Sequence, residues 1–340
     1  MNKHDICVIS KDRRKQLLIE SKKYAQEQRL KSWWVLLSTG FLFVGLTAIA
    51  AAWIFPWYVR LIAGLLVGLL NVRLFIIYHD YQHGAIFRDS RVVKLLMNAY
   101  GYFALNPPSV WKHSHDHHHK HNSQLPSTNI GSFPLLTIES YRNAGFWQKF
   151  AYLTIRHPLT ILFGYVTVFL VATSIVPAVR EPREHWDTIL AALFHIAMLT
   201  LLLIFVPSTA LFAVIIPFTV AGALGAYLFY AQHNYPTVKF QTVEEWDYID
   251  AALHSSSYIK MNPVMQWFTG NIGFHHVHHL NHKIPFYRLK EAMKGIEELQ
   301  TPGVTTLRPW DILHCLRLKL WDPETNRLVP LSAARKLSCT

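Results

Sequence analysis

Residues 61–83 read LIAGLLVGLLNVRLFIIYHDYQH, an almost unbroken apolar run that stops at Tyr78 and gives way to His79-Asp80-Tyr81-Gln82-His83. Crossing the hydrocarbon core takes roughly twenty residues at about 1.5 Å each, which the apolar part nearly supplies. Arg73 interrupts it, and its long side chain reaches the interface if the helix continues past the bilayer toward His79. The two histidines stand at i and i+4, on one helix face, so both imidazoles can share a metal. A membrane helix carrying a ligand pair just outside the bilayer is the expectation.

Working outward, 51% of the 340 residues are apolar and bunched into further runs at 34–55, 154–176, 188–206 and 209–230. Residues 88–146 are polar, aromatic and histidine-rich, with an apolar stretch at 92–105 too brief to span. If the histidines near His115 and His275 share one site, the chain between them crosses an even number of times, so one of the three intervening runs fails. Residues 154–176, opening on Arg156-His157-Pro158, are expected to lie in the interface or re-enter, with 188–206 as the alternative. Trp33, Trp34, Trp53, Trp57 and Tyr58 flank the first run as an aromatic belt. The fold class expected is all-α: an integral membrane bundle of about four transmembrane helices with a cytoplasmic helical cap. The division is a basic segment 1–32, a membrane unit 33–290 and a C-terminal segment 291–340.

The formal charge of +12 would suit nucleic acid in a soluble protein, yet Lys11, Arg13, Arg14, Lys15, Lys22, Lys23, Arg29 and Lys31 gather before Trp33. Such juxtamembrane clusters mark the cytoplasmic side and attract anionic lipid, so no nucleic-acid partner is expected. Both termini and the histidine clusters are assigned to the cytoplasmic face. The polar opening has no secretory-signal pattern. Cys7, Cys315 and Cys339 show no paired spacing, which excludes a disulfide framework and a zinc motif.

Of 20 histidines, eight fall between His79 and His121 and five between His275 and His282. In His113-Ser114-His115-Asp116-His117-His118-His119-Lys120-His121, only His115 has partners at both +3 and +4, namely His118 and His119. In His275-His276-Val277-His278-His279, only His275 does. Two independent windows select HxxHH, and on a helix these positions converge on one patch that offers three imidazoles to one or two ions. The first pair also begins the zinc-protease signature, but Asp80 stands where that mechanism needs glutamate. A histidine-rich loop acting as a metal buffer would explain the second cluster, not the third.

HxxxH, HxxHH and HxxHH in this order resemble the membrane fatty acid desaturases and hydroxylases, in particular bacterial acyl-lipid desaturases, from about Trp34 to Leu289. Trp111 before the second box, Asn122 after it, His83-Gly84, and Asn271-Ile272-Gly273 before the third match as well. The resemblance implies metal ligands at His79, His83, His115, His118, His119, His275, His278 and His279. It adds His233, in Gln232-His233-Asn234, at the place of the family's isolated ligand. It further implies two iron ions, O2 as co-substrate, and a fatty acyl lipid or thioester as substrate. The haem-binding His-Pro-Gly-Gly of relatives with a fused cytochrome b5 is absent, so electrons are expected from a separate ferredoxin or cytochrome b5 type donor.

Unactivated C–H bonds give acid–base or nucleophilic groups nothing to act on, so a redox metal is required. Acyl or alkyl hydroxylation and carotenoid ketolation on the same site are the nearest alternatives. A non-catalytic metal transporter or sensor is another, and it predicts ionisable groups at several depths, where only Arg73 and His195 are conspicuous. Asp80 and Asp116 are candidates to orient imidazoles, and Tyr78, Tyr81, Trp111 and Phe274 to line a substrate tunnel. His4, His157, His185, His195, His254, His282 and His314 read as isolated, and His113, His117, His121 and His276 fail the spacing test.

Overall fold

The computed structural model describes residues 10–125 and 131–336. Helix α1 (Lys11–Lys22) starts on Ser10, whose side chain accepts the Arg13 N–H. It tucks Leu17 into the core, while Arg13 pairs with Glu20 at 2.7 Å and with Glu298 at 2.6 Å. Helices α2 (Arg29–Ala51) and α3 (Trp57–Gln82) form the first apolar hairpin. Pro56 ends the first run early, because the residue before a proline is pushed out of helical geometry, so Trp53, Ile54 and Phe55 lie exposed in the turn. At 26 residues α3 is about 39 Å long, against about 30 Å of hydrocarbon, and its surplus carries His79 beyond the apolar layer.

Arg73 does not reach an interface. It is buried, donates to Thr39 Oγ1 at 3.1 Å and to the Trp267 carbonyl, and lies 4.1 Å over the Trp267 ring. Two short helices, α4 (Arg91–Phe103) and α5 (Pro108–Lys120), follow. The 154–176 run breaks before Pro158 and again at Phe163, leaving α6 (Tyr165–Arg180), which at about 24 Å is short of a span. Pro207 splits the remaining apolar sequence into α7 (Trp186–Phe205) and α8 (Pro207–His233). The π-helical stretches of α6 and α8 each end just before a proline, Pro177 and Pro217, whose ring clashes with the carbonyl of an ordinary α-turn.

Among the described residues four helices, α2, α3, α7 and α8, are long and apolar enough to cross a membrane. The number of candidate spans equals the four crossings expected from parity, and 154–176 is the run that falls short. Beyond α8 the chain folds into a cap of short elements, including α9 (His275–Leu280). Strand 258–260 pairs parallel with 304–306, and the hairpin 318–330 pairs with 136–137. Cys315, Leu318 and Trp321 join the core that surrounds the third histidine cluster.

Candidate metal centre

Helices α3, α5, α8 and α9 all deliver histidines to one place. One ring nitrogen from each of His79, His83, His115, His119 and His278 lies within 4.8 Å of the others. His118, His233, His275 and His279 form a second group of the same kind. All nine residues singled out in the sequence are thus brought together, and no box histidine is left outside.

Helical geometry decides the division. Successive residues turn by about 100°, so i+4 lies about 40° from i, whereas i+3 lies about 60° away on the other side. His115 and His119 therefore share one group while His118 enters the other, and in α9 His275 and His279 stay together while His278 crosses over.

Within the first group Nε2 atoms stand 3.1 Å apart for His79–His115, His83–His115 and His115–His119, and 3.0 Å for His119–His278. In the second, His118–His233, His233–His275 and His275–His279 are each 3.0 Å. These contacts cannot all be hydrogen bonds, since a neutral imidazole has one N–H. His233 spends its proton at Nδ1, 3.0 Å from the Ser255 carbonyl, so its Nε2 meets two neighbours with a bare lone pair. His79 Nδ1 likewise lies 3.2 Å from Asp80 Oδ1. Two ligand nitrogens about 2.1 Å from one ion at a right angle are about 3.0 Å apart, so the spacing fits a cation in each group. Burial, and after it the neighbouring imidazoles, hold His115, His118, His119, His275, His278 and His279 well below the usual imidazole value. They are neutral, as a ligand must be.

The surroundings orient the rings. Asp80, fully buried, accepts the Phe286 N–H at 2.6 Å with its other oxygen. Asp116, which follows His115 as Asp80 follows His79, instead pairs with Lys112 at 3.0 Å on the surface and orients no imidazole. Ser132 Oγ is 3.2 Å from His118 Nδ1. Ser132 and Ser255 carry no sequence signal, because nothing local links them to the boxes. Trp111 packs against His115 with centroids 4.4 Å apart and the ring planes tilted by 33°. Asn122 ties the end of box two to Ser256 at 3.0 Å. Ahead of box three, Gly270 and Asn271 adopt positive φ, and a side chain on Gly273 would press into the Ile259 carbonyl.

A cavity of about 690 Å³ begins at His79, His115 and His275. Val72 and Phe75 from α3, Val168 and Phe169 from α6, and Ala221, Gly225 and Leu228 from α8 wall it. Of the four aromatic residues expected there, only Trp111 lines it. Tyr78 turns away to the Asn106 carbonyl at 2.7 Å, and Phe274 stacks on Tyr258. Of the histidines read as isolated, His195 meets the Phe103 carbonyl at 2.7 Å and His254 meets Asp250 at 2.8 Å, but His282 is not isolated, its ring lying 4.7 Å from that of His83; His276, which failed the spacing test, meets the Leu299 carbonyl at 3.1 Å. His4 lies outside the described residues.

Comparison with known proteins gives the same picture. The family model described as fatty acid desaturase matches residues 55–309. A fatty acid desaturase of Bacillus subtilis (strain 168) is 32% identical over 96% of this chain and 93% of its own length. The sn-1 oleoyl-lipid 12-desaturase of Anabaena variabilis is 23% identical, covering 82% of this chain and 79% of that protein. An sn-1 acyl-lipid omega-3 desaturase (ferredoxin) of Nostoc sp. (strain 36) is also 23% identical, covering 75% and 72%. With a family model matching most of the chain and a relative of this similarity along nearly its whole length, the chain belongs to the fatty acid desaturase family.

Proposed function

We propose that this oxidoreductase introduces a double bond into the acyl chain of a membrane lipid, with two iron ions held by the nine histidines. His79, His83, His115, His119 and His278 would hold one, and His118, His233, His275 and His279 the other. Two irons bound there supply what the side chains lack, a redox couple able to reduce O2 to water while two hydrogens leave adjacent carbons. Reducing O2 to two waters takes four electrons, of which the two broken C–H bonds give two, with two protons, their other pair forming the double bond. The other two, with two protons, come from a separate donor of ferredoxin or cytochrome b5 type.

The observation that carries this reading is the junction of the two nitrogen groups with an apolar cavity. Its volume lies within the roughly 300–1,000 Å³ of small-molecule sites. An acyl chain that moves into it from lipid exchanges one dry environment for another, whereas leaving lipid for water costs about 0.8 kcal/mol per methylene. Gly225 keeps one wall thin, for a Cβ there would already touch the Phe169 ring at 3.4 Å. Trp111 and Asp80 hold the imidazoles still, and His275 and His115 face the chain at the cavity's head. A transport path is not favoured, since Arg60, Arg73 and His195 are each tied to neighbouring helices or loops rather than strung along a channel.

We assign the histidine end to the cytoplasm, on the strength of the basic residues of α1 beside it. Residues 33–290 form the catalytic unit, and 1–32 and 291–340 are cytoplasmic flanks that brace it through contacts such as Arg14 with Asp247 and the pairing of strand 304–306 with 258–260. Expression in a host with a simple lipid profile, followed by mass spectrometry of its fatty acids, tests the reading. Desaturation lowers product mass by two hydrogens, and hydroxylation, which adds one oxygen, is the result that overturns it.

A further inference from the structure

We infer that the exposed basic face formed by Arg88, Lys112 and Lys283 is where an acidic one-electron carrier protein docks. The inference rests on the desaturase reading, which requires two electrons per turnover from outside the chain, and it names the surface they enter through.

His282 links the first histidine group to this face. The partly exposed ring of His282 lies 4.7 Å from that of His83 and 5.3 Å from that of His119. The neighbouring Lys283 donates its ammonium to the backbone carbonyl of His83. Lys283 and Arg88 flank Gly84: a Cβ built there would stand 3.6 Å from Lys283 Nζ and 4.0 Å from Arg88 Cγ. Lys112 adds a third, highly exposed cation, paired at 3.0 Å with Asp116. Partial burial, and after it the like charges of Arg88 and Lys112, hold the Lys283 ammonium below its usual value, with Asp116 opposing.

Location separates this face from a lipid site. His83, His119 and His282 do not line the cavity, so a protein seated over them leaves the acyl chain's space free. A positive patch over the shortest route to the site steers an acidic partner and sets its orientation, mainly through the association rate. In the second group His118, beside Ser132, and His275 and His279 are buried, while His233 is half-buried and donates to the Ser255 carbonyl. Arg88 and Lys283 thus sit beside the His83–His282 ring pair that links the first group to the surface.

The test uses the full chain in phosphatidylcholine nanodiscs, with a plant-type [2Fe–2S] ferredoxin as probe at low salt. The double variant Arg88→Glu with Lys112→Glu should bind reduced ferredoxin at least about tenfold more weakly than wild type. The difference should shrink as salt shortens the Debye length. Metal content, and product from a single turnover after dithionite reduction, should equal wild type, which shows that the site itself is intact. Unchanged ferredoxin affinity in the variant, or no binding by wild type, overturns the docking face. So does loss of binding to phosphatidylglycerol vesicles with ferredoxin binding unaltered, the signature of a lipid site. Failure of the desaturase reading shows separately, as absence of product from dithionite-reduced wild type.

Discussion

The two ends of the helical bundle each hold a buried polar cluster, and they are built on opposite principles. At the end away from the histidines, Arg60 donates to the Ala50 carbonyl at 2.9 Å, to the Ala51 carbonyl at 3.3 Å and to Ser208, and stacks 4.7 Å from the Phe212 ring. Thr209 adds a bond to the Ala51 carbonyl at 3.0 Å, so the turns of both apolar hairpins are stapled together. There, each guanidinium nitrogen of Arg60 meets an acceptor. At the other end, about 28 Å along α3, nine imidazoles aim ring nitrogens at two common points, and His233, whose Nδ1 proton goes to Ser255, offers its neighbours only a lone pair. Buried polarity that closes on itself holds a fold, whereas ring nitrogens gathered at a common point could hold a cation.

The most severe test removes a nitrogen from either group. His118→Ala or His278→Ala should reduce iron content and product to background while the protein still partitions into membranes; full activity in either would discard the assignment. Next in size is Asp80→Asn, which cannot accept from both His79 and Phe286. A partner that fixes a ligand's tautomer is worth about 10–100-fold in metal affinity, a loss measurable by competition with a chelator. Gly225→Leu would fill part of the cavity and should lower turnover of long acyl chains by about tenfold relative to short ones, with metal content unchanged. Gly222 makes the contrast, because even an alanine Cβ would press into the Tyr165 backbone and cost folded protein instead. The smallest functional effect belongs to the far end. Arg60→Met strands the Ala50 carbonyl, Ala51 keeping its bond from Thr209, a penalty of about 1–3 kcal/mol in stability, seen as a lower Tm at unaltered activity per folded molecule.

Much of the site could be read from spacing because helices make spacing into direction. HxxHH singled out three of the five histidines from 275 to 282 and three of the six from 113 to 121, and the structure gathers those same residues. The rejected His276 points to the Leu299 carbonyl instead. Where the fold departs from expectation, a distant segment intervenes. Arg73 was expected at an interface, but the cap residue Trp267 receives it. Asp80 and Asp116 occupy equivalent places in their boxes, yet only Asp80 is covered, by the Phe286 segment more than two hundred residues on. Tyr78 looked like a cavity residue from its neighbours and faces Asn106 instead.

Apolar run length and histidine periodicity, both short-range properties, set the number of candidate spans and eight of the nine histidines, the family resemblance adding His233. Which imidazoles share an ion position, which carboxylate and serine orient them, where the cavity runs and which charges stand near the first group depend on segments remote in the chain. Those are settled only when α3, α5, α8 and α9 pack together, because a helix fixes the angle between its own side chains but not what will stand opposite them.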